Sequence, residues 1–402
     1  EVDRDVSFAS GRRAISVLAL PSQIRAALDR CYEQPDDLQQ LLGKLKIEAR
    51  SKPASLLIQA ADPDSAAVAL CRRILAGAVE SGASDIHIEP FADRADVRYR
   101  VSGILEPILT IPREAVAHIV NRFKIMARTN IAVRHQPQDG AFRVSEAEQA
   151  IDVRLSTLPT VHGEKVVMRL VDGQSPLKSL ESLGYDGPTL GRLRRALARP
   201  DGLVLFTGPT ASGKTTALYA ALHALRTGRT NIVSVEDPVE RYVEGVNQPA
   251  VNVKAGNTFA SVLRSVLRQD PNVIMVGEIR GAEVAQMVGQ AAFTGHLVLS
   301  SLHTTDAAAA VGRLQHLGLE PFKIADSLAA VFAQRLVRRL CPDCRVTLLP
   351  ADARALGEAH GVASVPARAG QGCARCRQTG YVDRVPVAEV LVPDEALREA
   401  IR

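Results

Sequence analysis

Two kinds of hydrophobic pattern meet near residue 172 of this chain. Upstream, apolar and polar residues alternate in "DIHIEPF" (85–91), "ADVRYRVSG" (95–103), "AIDVRLSTLP" (150–159) and "EKVVMRLV" (164–171). Val97, Tyr99 and Val101 share one face, the mark of strands with a single buried face. A helical stretch, "SAAVALCRRILAGAVESGA" (65–83), leads into them, so residues 54–172 read as a compact α+β module. "RHQPQDGAFRV" predicts a hairpin turning at Gln138-Asp139-Gly140. Downstream the apolar residues come in unbroken runs: "GLVLF" (202–206), "NIVSVED" (231–237), "NVIMVGE" (272–278) and "HLVLSSLH" (296–303). Such runs predict parallel strands covered on both faces. Residues 173–402 therefore read as a doubly covered α/β domain, joined through a linker at 172–179. Residues 1–53 carry one amphipathic stretch, with Ile24, Leu28 and Cys31 on a stripe. They read as an interdomain helix left from a longer amino-terminal region.

The first downstream run feeds "GPTASGKTT", residues Gly208, Pro209, Thr210, Ala211, Ser212, Gly213, Lys214, Thr215 and Thr216. Glycines here let successive backbone N–H groups turn inward on phosphates at a helix start. Lys214 would reach the β- and γ-phosphates of ATP, and Thr215 would ligate Mg²⁺. Leu218, Leu222 and Leu225 then recur at helical spacing, so strand, loop and helix come in the required order. The following runs each end in polar residues: Glu236 and Asp237, Glu278, and His303. In an open α/β sheet that carboxyl edge is where ligands bind. Glu278, Glu236, His303 and Arg280 form the candidate catalytic set, with Glu278 orienting the attacking water. Gly277 occupies the place where many such enzymes have a metal-holding Asp, so Glu236 or Asp237 takes the Mg²⁺ side.

In order and spacing, "GPTASGKTT", "VEDPVE", "LRQDPNVIMVGEIRG" and "TGHLVLSSLHTTDA" resemble the motor ATPases of type II secretion and type IV pilus systems. "GASDIHIEP" and "VRYRVSGIL" resemble the smaller domain preceding the motor, so the likeness spans about residues 15–392. One departure is Gly281, where the family usually has Asp. The resemblance implies a RecA-like P-loop ATPase domain, a PAS-like domain before it, and a homohexamer peripheral on the cytoplasmic side of the inner membrane. It implies ATP hydrolysis driving pseudopilus assembly and export by type II secretion, with pilus extension as the alternative. The implied partners are an inner-membrane secretion platform, its cytoplasmic anchoring protein and acidic phospholipid headgroups. In the family, arginines of this domain and its junction reach a neighbouring subunit's nucleotide, and the resemblance makes Arg100 and Arg169 the candidates here.

Cysteine spacing adds a second chemistry. Cys341 with Cys344 and Cys373 with Cys376 form two C-x-x-C pairs that together complete a tetrahedral four-sulfur shell. With no position left for water, the Zn²⁺ they predict is structural, in a subdomain inserted at about 336–385. Cys31 and Cys71 fall outside it and read as packing residues. A nucleic-acid translocase would also suit a P-loop core, a zinc module and a net charge of +5. Against it, aromatic residues make up only 4% of the chain and Trp is absent, leaving few stacking platforms. A nucleotide-binding scaffold without hydrolysis would have no use for Glu278 and His303 beside the phosphates. No apolar run approaches the ~18–20 residues that a membrane span needs, and the start of the chain has no apolar leader core. Both point to a cytoplasmic protein, and the scarcity of aromatics to one without nucleic acid among its partners.

Overall fold

The computed structural model describes residues 66–402, apart from 147–148, 172–175, 253–254 and 360–367. The expected helix around Ile24–Cys31, and the first part of the 172–179 linker, lie outside the described residues. The chain divides into two compact units. The first takes the described residues to Val101, Leu105–Glu146 and Val153–Leu170. The second takes Val171–Arg402 with the short segments Ser102–Ile104 and Ala147–Asp152.

The first unit runs α1 (Ala66–Glu80), β1 (Ala83–Pro90), β2 (Arg94–Val101), β3 (Ile104–Pro112), α2 (Arg113–Met126), β4 (Gln138–Glu146), β5 (Gln149–Thr160) and β6 (Gly163–Val171). Its sheet has the order β3-β2-β1-β6-β5-β4, with β1 antiparallel to both neighbours. The alternation sorts the faces: Ile86, Ile88, Val97, Tyr99, Val166 and Met168 are buried. Tyr99 donates its hydroxyl hydrogen to the Ile74 carbonyl of α1 at 2.5 Å. Cys71 is buried in the same core, where desolvation pushes its thiol pKa up. Gln138-Asp139-Gly140 does not form the expected turn; it opens β4. The Gln138 amide donates to the carbonyls of Asn130 and Val133 at 3.0 and 2.8 Å, pinning the preceding loop to the strand. A Cβ on Gly140 would lie 2.5 Å from the Ala127 carbonyl oxygen, so this glycine serves a close backbone approach.

The second unit runs α3 (Gly187–Leu197), β7 (Gly202–Thr207), α4 (Lys214–Leu225), β8 (Ile232–Val235), α5 (Phe259–Val266), β9 (Val273–Val276), α6 (Ala282–Phe293) and β10 (Leu297–Leu302). There follow α7 (Ala309–His316), α8 (Pro321–Ser327), β11 (Leu328–Leu340), β12 (Arg345–Thr347), α9 (Pro350–Ala359), β13 (Arg368–Gly370), β14 (Tyr381–Leu391) and α10 (Glu395–Ile401). The sheet order is β14-β11-β7-β10-β9-β8, parallel from β11 to β8 and antiparallel only at β14. Every residue of β7, β8, β9 and β10 is buried, as their unbroken apolar runs require. Leu203 and Leu205 join the core on one face of the sheet, and Val204 and Phe206 join that on the other. At about 1.5–3 kcal/mol for each large side chain fully buried, these residues fix the strand register. The parallel arrangement brings the carboxyl ends of β7, β8, β9, β10 and β11 to one edge. Beyond that edge β11 continues, paired with β14, as a two-stranded ribbon carrying the cysteines.

Candidate active site

The phosphate loop is shaped by backbone that only small residues accommodate. Gly208 and Gly213 have φ of 143° and 89°, and Ala211 also lies in the left-handed region. A Cβ on Gly208 would sit 2.5 Å from the Gln334 carbonyl oxygen and 2.6 Å from Ser212 Oγ. Gly213 is the N-cap of α4, so the first N–H groups of the helix face the loop. Lys214 is nearly buried and donates from Nζ to the carbonyls of Gly208 and Pro209 at 2.8 and 2.9 Å. Thr215 and Thr216 are exposed at the start of the helix. Thr207 Oγ1 and Ser212 Oγ are buried without a hydrogen-bond partner. Orphaned hydroxyls inside a glycine-rich loop fit a phosphate-binding cradle.

Gln334, a residue the sequence reading did not single out, braces this loop from β11. It is fully buried, and its Nε2 donates to the Ser212 carbonyl at 2.8 Å while its Oε1 accepts from the Tyr185 hydroxyl. Its signal was there in retrospect: a lone polar residue at the end of the apolar run "LAAVFAQ".

The acidic candidates reach the edge but differ in setting. Glu278 follows β9. Its Oε1 accepts from Arg280 Nε, and its Oε2 lies 3.3 Å from His303 Nε2. Burial pushes its pKa up, but Arg280 and His303 overcome this and hold the carboxyl below the ordinary range. Two serines of β10 position the segment: Ser300 Oγ donates to the Val276 carbonyl and Ser301 Oγ to that of Gly277, both at 2.7 Å. Glu236, by contrast, is turned inward and buried. It accepts from Tyr219 Oη at 2.5 Å, Ser234 Oγ at 2.8 Å and Gln248 Nε2 at 3.4 Å. Asp237 beside it is exposed. Gly281 is the N-cap of α6 in extended backbone, where a Cβ would meet nothing, so no steric need explains glycine in place of the usual acid.

Arg100 and Arg169 stand on the polar face of the first unit's sheet, flanking one buried carboxylate. Arg169 Nε donates to Asp85 Oδ1 at 3.0 Å, and Arg100 Nε lies 3.7 Å from Asp85 Oδ2. Asp85, which the sequence reading passed over, thus holds the stems of both guanidiniums from the strand between them.

The four cysteines converge: the sulfurs of Cys341, Cys344, Cys373 and Cys376 all lie within 4.8 Å of one another. Backbone N–H groups of Cys373 and Gly380 donate to Cys376 Sγ at 3.1 and 3.2 Å. Desolvation raises the pKa of that thiol, but these donors and its sulfur neighbours pull it down to about 6. A closed set of four soft ligands with N–H···S support fits a structural metal such as zinc.

A family model described as "Type II/IV secretion system protein" matches residues 60–402. The type II secretion system ATPase E of Vibrio cholerae is 44% identical over 341 residues, covering 85% of this chain and 68% of that protein. The type IV pilus assembly ATPase PilB of Thermus thermophilus is also 44% identical over 341 residues, covering 84% of this chain and 38% of that one. Among solved structures, the ADP-bound pilus retraction motor PilT superposes with a TM-score of 0.54 at 25% identity, covering 82% of this chain and 85% of that one. The chain belongs to the type II/IV secretion system protein family.

Proposed function

We propose that this chain is the ATPase motor of a type II secretion system, hydrolysing ATP to drive pseudopilus assembly and protein export. The observation that carries the reading is the shared edge: the cradle after β7 and the Glu278–His303–Arg280 group after β9 and β10 open on the same side of one parallel sheet. A relative named as the ATPase of that system, matched over most of this chain, supports the choice of system. An equally identical pilus-assembly ATPase keeps pilus extension as the second reading. The second unit's strand order β11-β7-β10-β9-β8, with the glycine-rich loop after β7, supports the RecA-like reading. The first unit's sheet, backed by two helices, supports the PAS-like reading.

Within the site each group has a task. Backbone N–H groups of the loop between Thr210 and Lys214, with the Lys214 ammonium, bind the phosphates, and the ionised Glu278 orients and deprotonates the attacking water, with His303 and Arg280 setting its position. Thr215 and the exposed Asp237 would hold Mg²⁺, which neutralises charge on the phosphates when bound. Glu236 supports the β8 end through Tyr219 and Ser234. Cys341, Cys344, Cys373 and Cys376 would hold structural Zn²⁺.

Among the described residues no helix is long and apolar enough to cross a membrane. The motor reading puts the chain on the cytoplasmic side of the inner membrane, against acidic lipid, an anchoring protein and the secretion platform. It makes the assembly a homohexamer in which Arg100 and Arg169 serve a neighbour's site. Glu278→Gln is the decisive test. ATP binding should persist while turnover falls ~100-fold or more, the range for a positioned base. Near-normal turnover would overturn the assignment of Glu278.

A further inference from the structure

Arg335 is the first exposed residue of β11, immediately after the buried brace Gln334. Its Nη1 donates to the Gln334 carbonyl at 3.0 Å, and its Nη2 donates to the Thr305 carbonyl at 2.5 Å. Two of its five N–H donors are thereby held by backbone, which fixes the plane of the guanidinium and leaves three to bind elsewhere. Among the described residues no carboxylate lies within ion-pair distance of it, although Asp306, next to Thr305, feels its charge. β11 pairs in parallel with β7, with Ala333 opposite Thr207, so Arg335 emerges beside the start of the phosphate loop. Thr305, its other anchor, is two residues beyond His303, which reaches Glu278. The cation therefore lies between the loop that binds phosphates and the segment that carries the water-side groups. Electrostatics agree: burial lowers the pKa of Lys214, Glu278 raises it, and Arg335 lowers it further, so both charges are felt at the ammonium.

We propose that Arg335 is a specificity-determining residue of its own chain's nucleotide site, engaging the terminal phosphoryl group and so favouring the triphosphate over the diphosphate. The inference rests on the ATPase reading. A forked, permanently charged donor suits phosphate oxygens better than a point charge does. Its anchor on the Thr305 carbonyl holds it toward the segment that carries His303. Its role is separate from that of Arg100 and Arg169, which belong to the other unit.

The test compares dissociation constants of a non-hydrolysable ATP analogue and of ADP, both with Mg²⁺, for wild type, Arg335→Gln and Arg335→Lys. Glutamine keeps a donor for the Thr305 carbonyl while removing the charge, so the fold should melt as wild type does. Its affinity for the triphosphate analogue should fall about tenfold or more, and that for ADP should stay within about twofold. Lysine, a point charge, should retain only part of the preference. Arg338→Gln, further along the ribbon where Arg338 stacks on the Tyr381 ring at 3.8 Å, should change neither constant. An unchanged triphosphate-to-diphosphate ratio in Arg335→Gln, or equal loss for both nucleotides, overturns the proposal. So does a folded Arg335→Lys that discriminates as well as wild type, which would leave the fork without a role. If wild type binds neither nucleotide, the ATPase reading itself falls; if wild type discriminates and Arg335→Gln does too, only the arginine assignment falls.

Discussion

The phosphate loop and the tetracysteine cluster are served by the same strand, yet they owe their shapes to different forces. β11 braces the loop through Gln334 and then carries Cys341, whose N–H donates to the Gly380 carbonyl at 2.9 Å. The loop is set by its surroundings: a fully buried strand before it, a helix buried from Ala217 to Leu222 after it, and glycines where a side chain would collide (Gly208) or strain the backbone (Gly213). The cluster has little such support. Apart from Cys341 and Cys376, its neighbourhood is mostly exposed, and the small β12–β13 sheet and α9 add no large buried side chain among the described residues. One site is made by a core and the other by its own ligands. Damage to the loop's chemistry should therefore leave the fold intact, whereas damage to the cluster should loosen structure locally.

The largest expected effect is on the loop. Lys214→Ala removes the buried cation proposed to bind the phosphates, and ATP affinity should fall by about 100-fold. The melting temperature should barely move, because the Lys214 ammonium bonds only to two loop carbonyls. Calorimetric titration with a non-hydrolysable analogue reads the first quantity and thermal unfolding the second. A large drop in melting temperature would mean that the loop depends on this side chain for shape, which breaks the contrast.

The cluster should behave in the opposite way. Cys341→Ser or Cys373→Ser should release about one zinc per chain and open residues 341–381 to protease, while nucleotide affinity stays near wild type. Metal analysis and limited proteolysis decide it. A metal-free wild type as protease-resistant as the loaded protein would show that the ribbon and its small sheet suffice without the metal.

How much of this was legible beforehand follows the same divide. The loop, the run of parallel strands and the two C-x-x-C pairs were readable because each is a local pattern with one physical solution. The strand-edge residues Glu278 and His303 were readable because a parallel sheet delivers them to one side. Gln334, Tyr185, Asp85 and Arg335 were not, since each acts across the sheet on a residue distant in sequence. The Gln138–Gly140 turn was misjudged for a related reason. Its glycine and amide suggested a local turn, but what selects them is the approach of Ala127 and the loop at 130–133. Glu236 looked like Asp237 in sequence, and only the position of Tyr219 on α4 separates a buried acid from an exposed one.

The smallest expected effect on nucleotide binding concerns the brace that joins the two regions. Gln334→Leu would strip the Ser212 carbonyl and the Tyr185 hydroxyl of a partner at once, leaving two buried polar groups unsatisfied at about 1–3 kcal/mol each. Tyr185→Phe removes only one hydroxyl and leaves Gln334 bonded to the loop, so it should cost about 1 kcal/mol. In a unit of this size that is a shift of roughly 2–4 °C in melting temperature. If Gln334 holds the loop in its binding shape, Gln334→Leu should raise KM for ATP with little change in kcat, and the Tyr185→Phe protein should show the same trend more weakly. Proportional losses in kcat with KM unchanged would mean that the brace serves the transition state instead. No change in either would reduce Gln334 to a packing residue of β11, and the loop would then owe its shape to its glycines and flanking elements alone.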